Sequence, residues 1–401
     1  MADAGSTLTI QPTALVALLE STHISHQLTA YRGASTPRHL DAPEVETAAL
    51  TKGVAVHDLG WMRRVAVRGL DRFRWLSGMV SNTVNDLFPN TGAWNFVLTA
   101  QGKIQGDLTV WRRGEESSPV RRKPETLRPV SSDSSSGTPF AGESGLELEI
   151  AADQFDKLLA HLNRYIIMDD VELVPLNEEL GSEGDAQAAV GLTGPHADEV
   201  LERVGLPVFA QPMTGKSVEW NGWDLRILRN HGLLAPHYEF FLPAAGLAKL
   251  WSCLRAAGAD PVGCEAVEAF RIAEGIPLYG ADISDRDLPQ ETSQLRALHF
   301  NKGCYLGQEI VERIRARGNV HRHLRPLEIS GAVPSAGTEL TLEGAAAGQI
   351  TSAAELKLAA GTRIFALGMV KAEAEARNQE FQFGAGESAG TARILDAPPE
   401  F

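Results

Sequence analysis

The 401-residue chain carries only three cysteines, Cys253, Cys264 and Cys304, and no Cys-x-x-Cys pair. An odd, sparse count points to reduced thiols and a cytoplasmic compartment. It leaves too few thiolates for a four-cysteine zinc or iron–sulfur site built by this chain alone, so no resident metal is expected. Positive charge is short as well: 37 basic against 51 acidic residues give a net charge of −14. That balance weighs against direct nucleic-acid binding, which needs basic surface to neutralise phosphates. No run approaches the ~18 uncharged apolar residues of a membrane span. The N-terminus lacks a basic segment followed by an apolar core, so no signal peptide is expected. What remains is 43 % apolar and 22 % charged, the make-up of a globular protein long enough for two or three domains.

Hydrophobic periodicity divides the chain. Arg63–Val67 is strand-like, Gly69 turns it, and Leu70, Phe73, Leu76 and Val80 follow at helical spacing. Trp94, Phe96 and Leu98 alternate, as do Ile104, Leu108 and Val110 beyond a Gln101-Gly102 turn, which predicts a hairpin. Residues 112–145 are low-complexity and Ser-rich, predicting a disordered surface insert. A strand (Leu146, Leu148, Ile150), a helix (Phe155, Leu158, Leu159, Leu162) and a strand (Val171, Leu173) resume, before an acidic linker at 178–184. A strand–Gly–helix–hairpin–strand–helix order then recurs from Ala189 to Leu254, with Asn221-Gly222 as the hairpin turn. This echo predicts two related α+β units set face to face. Past Arg322, short strands separated by Gly and Pro predict a small β-barrel, and the last ~15 residues are expected to fray.

The densest chemistry lies in Asn301-Lys302-Gly303-Cys304-Tyr305-Leu306-Gly307-Gln308-Glu309. A cysteine sits beside a cation and between glycines, ahead of a helix predicted to start near Gln308. A thiolate is the reactive form of cysteine, and a nearby Lys or a helix N-terminus favours it. Cys304 is therefore either a small packing residue or a reachable reactive thiol. Lys302 is either a solvated lysine or that thiol's cation. Tyr305 reads as a packing aromatic or a contact. Gln308 and Glu309 either cap the helix or touch a ligand.

Lys302-Gly303-Cys304-Tyr305-x-Gly307-Gln308-Glu309 resembles the K-G-C-[FY]-x-G-Q-E signature of the YgfZ-type folate-binding proteins, relatives of the glycine cleavage system T protein (aminomethyltransferase). Residues 268–283, Pro289-Gln290-Glu291 and the stretches 54–59, 65–71, 81–87 and 102–108 also resemble that superfamily's text, so the likeness spans roughly residues 45–370. The resemblance implies a T-protein-like α+β fold in three parts: 1–176 as a first folate-binding unit, 177–321 as a second unit ending in the signature, and 322–395 as a β-barrel. It implies a protein that binds tetrahydrofolate or another folate and supports iron–sulfur cluster assembly or repair. Its partners would be assembly or client proteins, and tRNA-modifying enzymes would benefit indirectly. Cys304 would be the key thiol, as nucleophile, transient cluster ligand or redox-sensitive group. A tetrahydrofolate-dependent aminomethyltransferase is the alternative.

The same resemblance names cofactor candidates. Asp107 matches one member of the T proteins' acidic pair, whereas Gly106 replaces the other. Ala235 stands where the family has an acid that contacts the pterin, and Glu239 matches the motif's last acid. These losses weigh against transfer chemistry, which needs a positioned carboxylate. His237 either compensates or is a surface residue. Arg271 is either a structural ion pair or a contact for folate's glutamate tail. Asn82 either caps its turn or meets a pterin edge. The run from Arg313 to Arg325 reads as a solvated basic face.

Overall fold

The computed structural model describes residues 10–23, 26–114, 145–176, 187–318 and 320–401. Of the insert expected at 112–145, residues 115–144 lie outside these residues, as does the linker at 178–184, whereas Arg112 ends a strand of the first hairpin. Strand, helix, hairpin, strand and helix of the first repeat are Met62–Arg68, Arg72–Met79, Thr91–Leu98 with Ile104–Arg112, Leu146–Ala151 and Ala152–Asn163. Those of the second are Gln187–Thr193, Ala197–Arg203, Thr214–Trp220 with Trp223–Asn230, His237–Pro243 and Ala244–Ala256. Asn221 and Gly222 both take positive φ, as the two-residue turn of the second hairpin requires.

All these strands belong to one 11-stranded sheet. Its two halves meet where Thr214 pairs with Thr91, the first hairpin strand of one repeat against its counterpart in the other. Each half packs apolar strand residues against its own helices. One core gathers Val65, Leu76, Leu108, Leu148 and Leu158, and another gathers Val190, Leu225, Phe240, Leu250 and Leu254.

Three placements differ from the sequence expectation. The N-terminal segment, expected with the first unit, completes the second: Leu15, Leu19, Val54 and Val56 join its core, and Ala55–Asp58 pairs with Gln187–Thr193. An amphipathic helix and a buried strand pack wherever an apolar face is open, and chain order does not say which face that is. The signature, expected to end the second unit, packs instead on the first hairpin and the barrel, with Tyr305 and Val311 beside Phe96, Leu98, Ile104 and Leu367. The C-terminus is not frayed: Gly390–Ile394 closes the six-stranded barrel by pairing with Arg322–Gly331, and Phe401 packs against Phe365 and Phe270. Among the described residues no helix is long and apolar enough to cross a membrane.

Candidate functional site

Where the two repeats face each other, a cavity of about 210 Å³ opens, walled by strands of both halves and by the helix Cys264–Ala273. Asp107 enters it from the second strand of the first hairpin. Its carboxylate accepts hydrogen bonds from Trp94 Nε1 (2.9 Å) and Gln154 Nε2 (3.1 Å), while Gln154 Oε1 accepts the Asp107 N–H (3.0 Å). This clamp depends on Gly106: a Cβ there would lie 2.6 Å from Gln154 Oε1 and 2.9 Å from Leu158. Gly106 thus leaves room for the glutamine that orients Asp107.

Opposite Asp107 the wall is acidic and buried. Glu149 Oε2 accepts from Trp111 Nε1 (2.8 Å), and Glu239 Oε1 accepts from Asn230 Nδ2 (3.0 Å) and lies 3.1 Å from His237 Nε2. Burial pushes the Glu149 carboxyl well up, and the neighbouring Glu239 pushes it further. Burial also raises Glu239, partly offset by its hydrogen bond with Glu149. Glu274 accepts the Leu233 and Leu234 N–H groups (2.9 and 3.0 Å), yet burial lifts its carboxyl to about 7. His57 and His237 stand parallel, ring centres 5.7 Å apart, bridged by Thr193 Oγ1. Gly191 makes room for the His57 ring, since an added Cβ would meet its Cε1 at 2.1 Å. Burial, then the facing His237, lowers His57 to about 3.

The cations are placed differently. Arg296 lies over the Trp94 ring at 5.1 Å, and its buried Nε and Nη1 have no hydrogen-bond partner among the described residues. Arg271 touches the cavity, but its guanidinium is engaged by Glu268 (Nε–Oε2 2.8 Å) and Asp282 (Nη1–Oδ2 2.8 Å) and by the Ile276 carbonyl. Asp282 in turn accepts from Thr351 and Ser352 of the barrel, both at 2.6 Å. Arg271 therefore ties the cavity wall to the barrel. Although burial opposes it, pairing with Glu268 and Asp282 raises its pKa.

The signature residues stand outside the cavity lining. Cys304 is an exposed free thiol. The Lys302 ammonium, expected beside that sulfur, instead donates to the carbonyls of Val80 (2.8 Å) and Asn82 (2.5 Å) and lies 5.2 Å from the Tyr305 ring centre. Burial, only partly countered by Asp86, lowers its pKa to about 7. Asn82 is spent on its surroundings, donating from Nδ2 to the carbonyls of Trp94 (3.0 Å) and Arg296 (2.8 Å). Lys302 thus ties its loop to the turn at 80–82, and Asn82 ties that turn to the backbone at Trp94 and Arg296. Tyr305 is buried in hydrocarbon, and its hydroxyl meets no hydrogen-bond partner among the described residues. Gln308 Oε1 accepts the Tyr305 N–H (3.2 Å) at the start of the helix Gln308–Arg317, and exposed Glu309 pairs with Arg313 (2.7 Å). Gly307 takes φ 84° at the turn into that helix, against the Gly102 hairpin turn, and a Cβ there would lie 2.6 Å from Thr99 O. Of the sequence candidates, the fold gathers Asp107, Glu239 and Arg271 at the cavity and holds Cys304, Lys302, Asn82, Tyr305, Gln308 and Glu309 apart from it. Ala235 is buried in a small core with Leu50, Val262 and Phe270.

Sequence reasoning did not single out Glu149, Glu274, His57, Gln154, Trp94 or Arg296. Glu149 alternates with Leu148 and Ile150, the pattern of a solvent-facing strand position, yet it is buried at the cavity wall. Glu274 and His57 did sit inside stretches that resemble the superfamily, which was the one available signal.

Residues 148–302 match the family model described as the GCVT N-terminal domain. Over 334 residues the chain is 25 % identical to an aminomethyltransferase of Rubrobacter xylanophilus, covering 81 % of this chain and 79 % of that protein. Over 330 residues it is 23 % identical to a chloroplastic putative transferase of Arabidopsis thaliana, covering 81 % and 67 %. The crystal structure of glycine cleavage system aminomethyltransferase T from Bartonella henselae matches with a TM-score of 0.79 at 18 % identity, covering 97 % of this chain and 98 % of that one. The class this defines is an α+β protein with the glycine cleavage T-protein fold and a closed C-terminal barrel. Family model and relatives together support a place for this chain in the T-protein superfamily.

Proposed function

We propose that the chain is a YgfZ-type folate-binding protein: the inter-repeat cavity takes a reduced folate, and Cys304 is presented at the surface as the thiol that serves iron–sulfur cluster assembly or repair. The observation that carries this reading is the complementary polar lining of the cavity. Among the described residues, Glu149 Oε1 and Glu239 Oε2 are buried and meet no N–H or O–H donor from another side chain or the backbone, and Arg296 Nε and Nη1 are buried donors that meet no acceptor. An aminopyrimidinone head offers N–H donors and a carbonyl. A glutamate tail offers carboxylates, which a guanidinium binds well. Asp107, fixed by Trp94 and Gln154, adds a further acceptor. The T proteins' second acid is replaced by Gly106, which supports a binding role over aminomethyl transfer. The thiol's separation from the cavity supports a division of labour between folate occupancy and sulfur chemistry.

Titration calorimetry with 5-formyltetrahydrofolate tests the cavity: binding is expected, weakened in Asp107→Asn, and no heat with any reduced folate would sink the reading. For the thiol, Cys304→Ser is expected to keep folate affinity while failing to restore iron–sulfur enzyme activity in cells lacking the protein. The second reading, a tetrahydrofolate-dependent aminomethyltransferase, is favoured by Asp107 facing the cavity and by the relatives' names. Turnover with tetrahydrofolate and an aminomethyl-loaded lipoyl carrier protein would establish it.

A further inference from the structure

The polar groups along the cavity floor form one unbroken chain, and its hydrogen count is informative. At one end His57 Nδ1 lies 3.1 Å from the Asp58 carbonyl, which only accepts, so that nitrogen carries a hydrogen. Neutral His57 then offers a lone pair at Nε2 to Thr193 Oγ1, 3.0 Å away, and the Thr193 hydroxyl donates to it. The threonine oxygen has only acceptor capacity left, so His237 Nδ1, at 2.7 Å, donates. The remaining ring nitrogen, His237 Nε2, stands 3.1 Å from Glu239 Oε1. A neutral imidazole has no hydrogen left for that contact. One more proton must sit there, on the ring or on the carboxyl.

The next link needs another. Trp111 donates to Glu149 Oε2, and Asn230 and His237 reach Glu239 Oε1, which leaves Glu149 Oε1 and Glu239 Oε2 on two neighbouring buried carboxyl groups. Neither oxygen meets an N–H or O–H donor among the described residues, and both residues are over nine-tenths buried, at 2 % and 4 % exposure. Between two carboxyl groups the available hydrogen is a shared acid proton.

We propose that Glu149, Glu239 and His237 hold two protons as one electrically neutral unit, that Thr193 and His57 are positioning residues fixing the ring, and that a ligand presenting N–H donors to the glutamates enters by releasing one of those protons. Neutrality is what a buried triad favours, since an isolated ion there is costly to desolvate. Other charges face the unit: burial lowers His237, partly countered by Glu274 and Glu149, while Arg32 favours the ionised Glu239 and Arg64 the ionised Glu149. The proton moves from the glutamate pair to solvent, the ligand N–H takes its place between donor and acceptor, and no bond to carbon changes. Folate affinity therefore rises with pH through the range where the pair gives up that proton.

The ligand part of this inference rests on the folate reading, and the proton count does not, so two measurements separate them. Titration of 5-formyltetrahydrofolate in phosphate and in Tris reads the protons exchanged. About one released per ligand is expected in the native protein and close to none in Glu149→Gln. Binding without proton release would overturn the coupling. Independently, ¹⁵N NMR of histidine-labelled ligand-free protein reads the rings. His57 is expected as the neutral Nδ1–H tautomer, not titrating near the ordinary value of about 6.5, and Thr193→Val is expected to change the His237 tautomer signature. A His57 that titrates in the ordinary range, or carries its hydrogen on Nε2, would overturn the chain whether or not folate binds.

Discussion

Glu147 and Glu239 occupy the same place in the two repeats. Each lies on the strand before its repeat's second helix, and those helices begin at Ala152 and Ala244. Glu147 pairs in register with Trp111 and Ala66, Glu239 with Leu228 and Gly191. Their surroundings are opposite. Glu147 meets Arg64 (2.6 Å), Arg113 (3.1 Å) and Arg226 (3.9 Å). Burial alone would raise its carboxyl, but the three guanidinium groups, Arg64 foremost, hold it at about 2. Glu239 meets Asn230, His237 and a second carboxyl, and its carboxyl is raised. A duplicated fold has therefore used one equivalent glutamate as a charged lock between the sheet halves and the other as a proton-holding wall of a cavity. The backbone position is shared. The neighbouring side chains decide the chemistry.

Removing each charge should expose that contrast. Glu147→Gln leaves the buried Arg64 and Arg226 and the partly exposed Arg113 without their shared carboxylate and is expected to cost about 3–5 kcal/mol, measured as a fall in urea stability. Glu239→Gln replaces a carboxyl whose ionised form burial already disfavours and should stay within about 1 kcal/mol. Equal losses would erase the difference. The loop bearing Cys304 gives a third environment to set beside these. Gly307→Ala, at positive φ and against Thr99 O, is expected to cost about 1–3 kcal/mol. Gly303→Ala, with nothing within 4 Å of its added Cβ, should be close to neutral by the same urea measurement.

The two ends also answer pH with opposite sign. Glu147 has its folded pKa depressed to about 2, so its contribution is present above the unfolded value of about 4.3 and is lost as pH falls through the folded value. Glu274 on the cavity wall is raised to about 7, so the folded state binds the extra proton. Its contribution is fullest below about 4.3 and declines as pH rises to about 7. Glu274→Gln, which keeps an oxygen for the Leu233 and Leu234 N–H groups, should flatten that decline in thermal midpoints recorded across pH. An unchanged slope would place the titration elsewhere. The smallest effect concerns the thiol. Lys302→Met should leave the rate of Cys304 alkylation unchanged, because the ammonium is turned to the Val80 and Asn82 carbonyls. Mass spectrometry should show Cys304 modified first and Cys264 last, since burial pushes the Cys264 thiol up to about 12. A large drop in the Lys302→Met rate would restore the ammonium–thiolate pair.

Much of the architecture was legible before any coordinates. The period-2 runs at 94–98 and 104–110, the Asn221-Gly222 turn and the helix opening at Gln308 all stand where local pattern placed them. So does the repeat, because each copy carries the same order of strand, helix and hairpin. The site was legible in part. Asp107 and Glu239 came from resemblance and do line the cavity, whereas Glu149 looked like an outward strand residue and Asn82 and Lys302 turned out to hold a turn together.

Local pattern determined the elements, because hydrogen bonding and side-chain period act over a few residues. It also determined that one cysteine would sit in a glycine-bounded loop ahead of a helix. Only the tertiary structure decided which faces met. It buried Glu149 beside Glu239, aimed Lys302 at carbonyls rather than sulfur, and joined His57 to His237 through Thr193. The physical reason is that desolvation and proton sharing depend on groups far apart in the chain, so they exist only once both repeats have closed on each other.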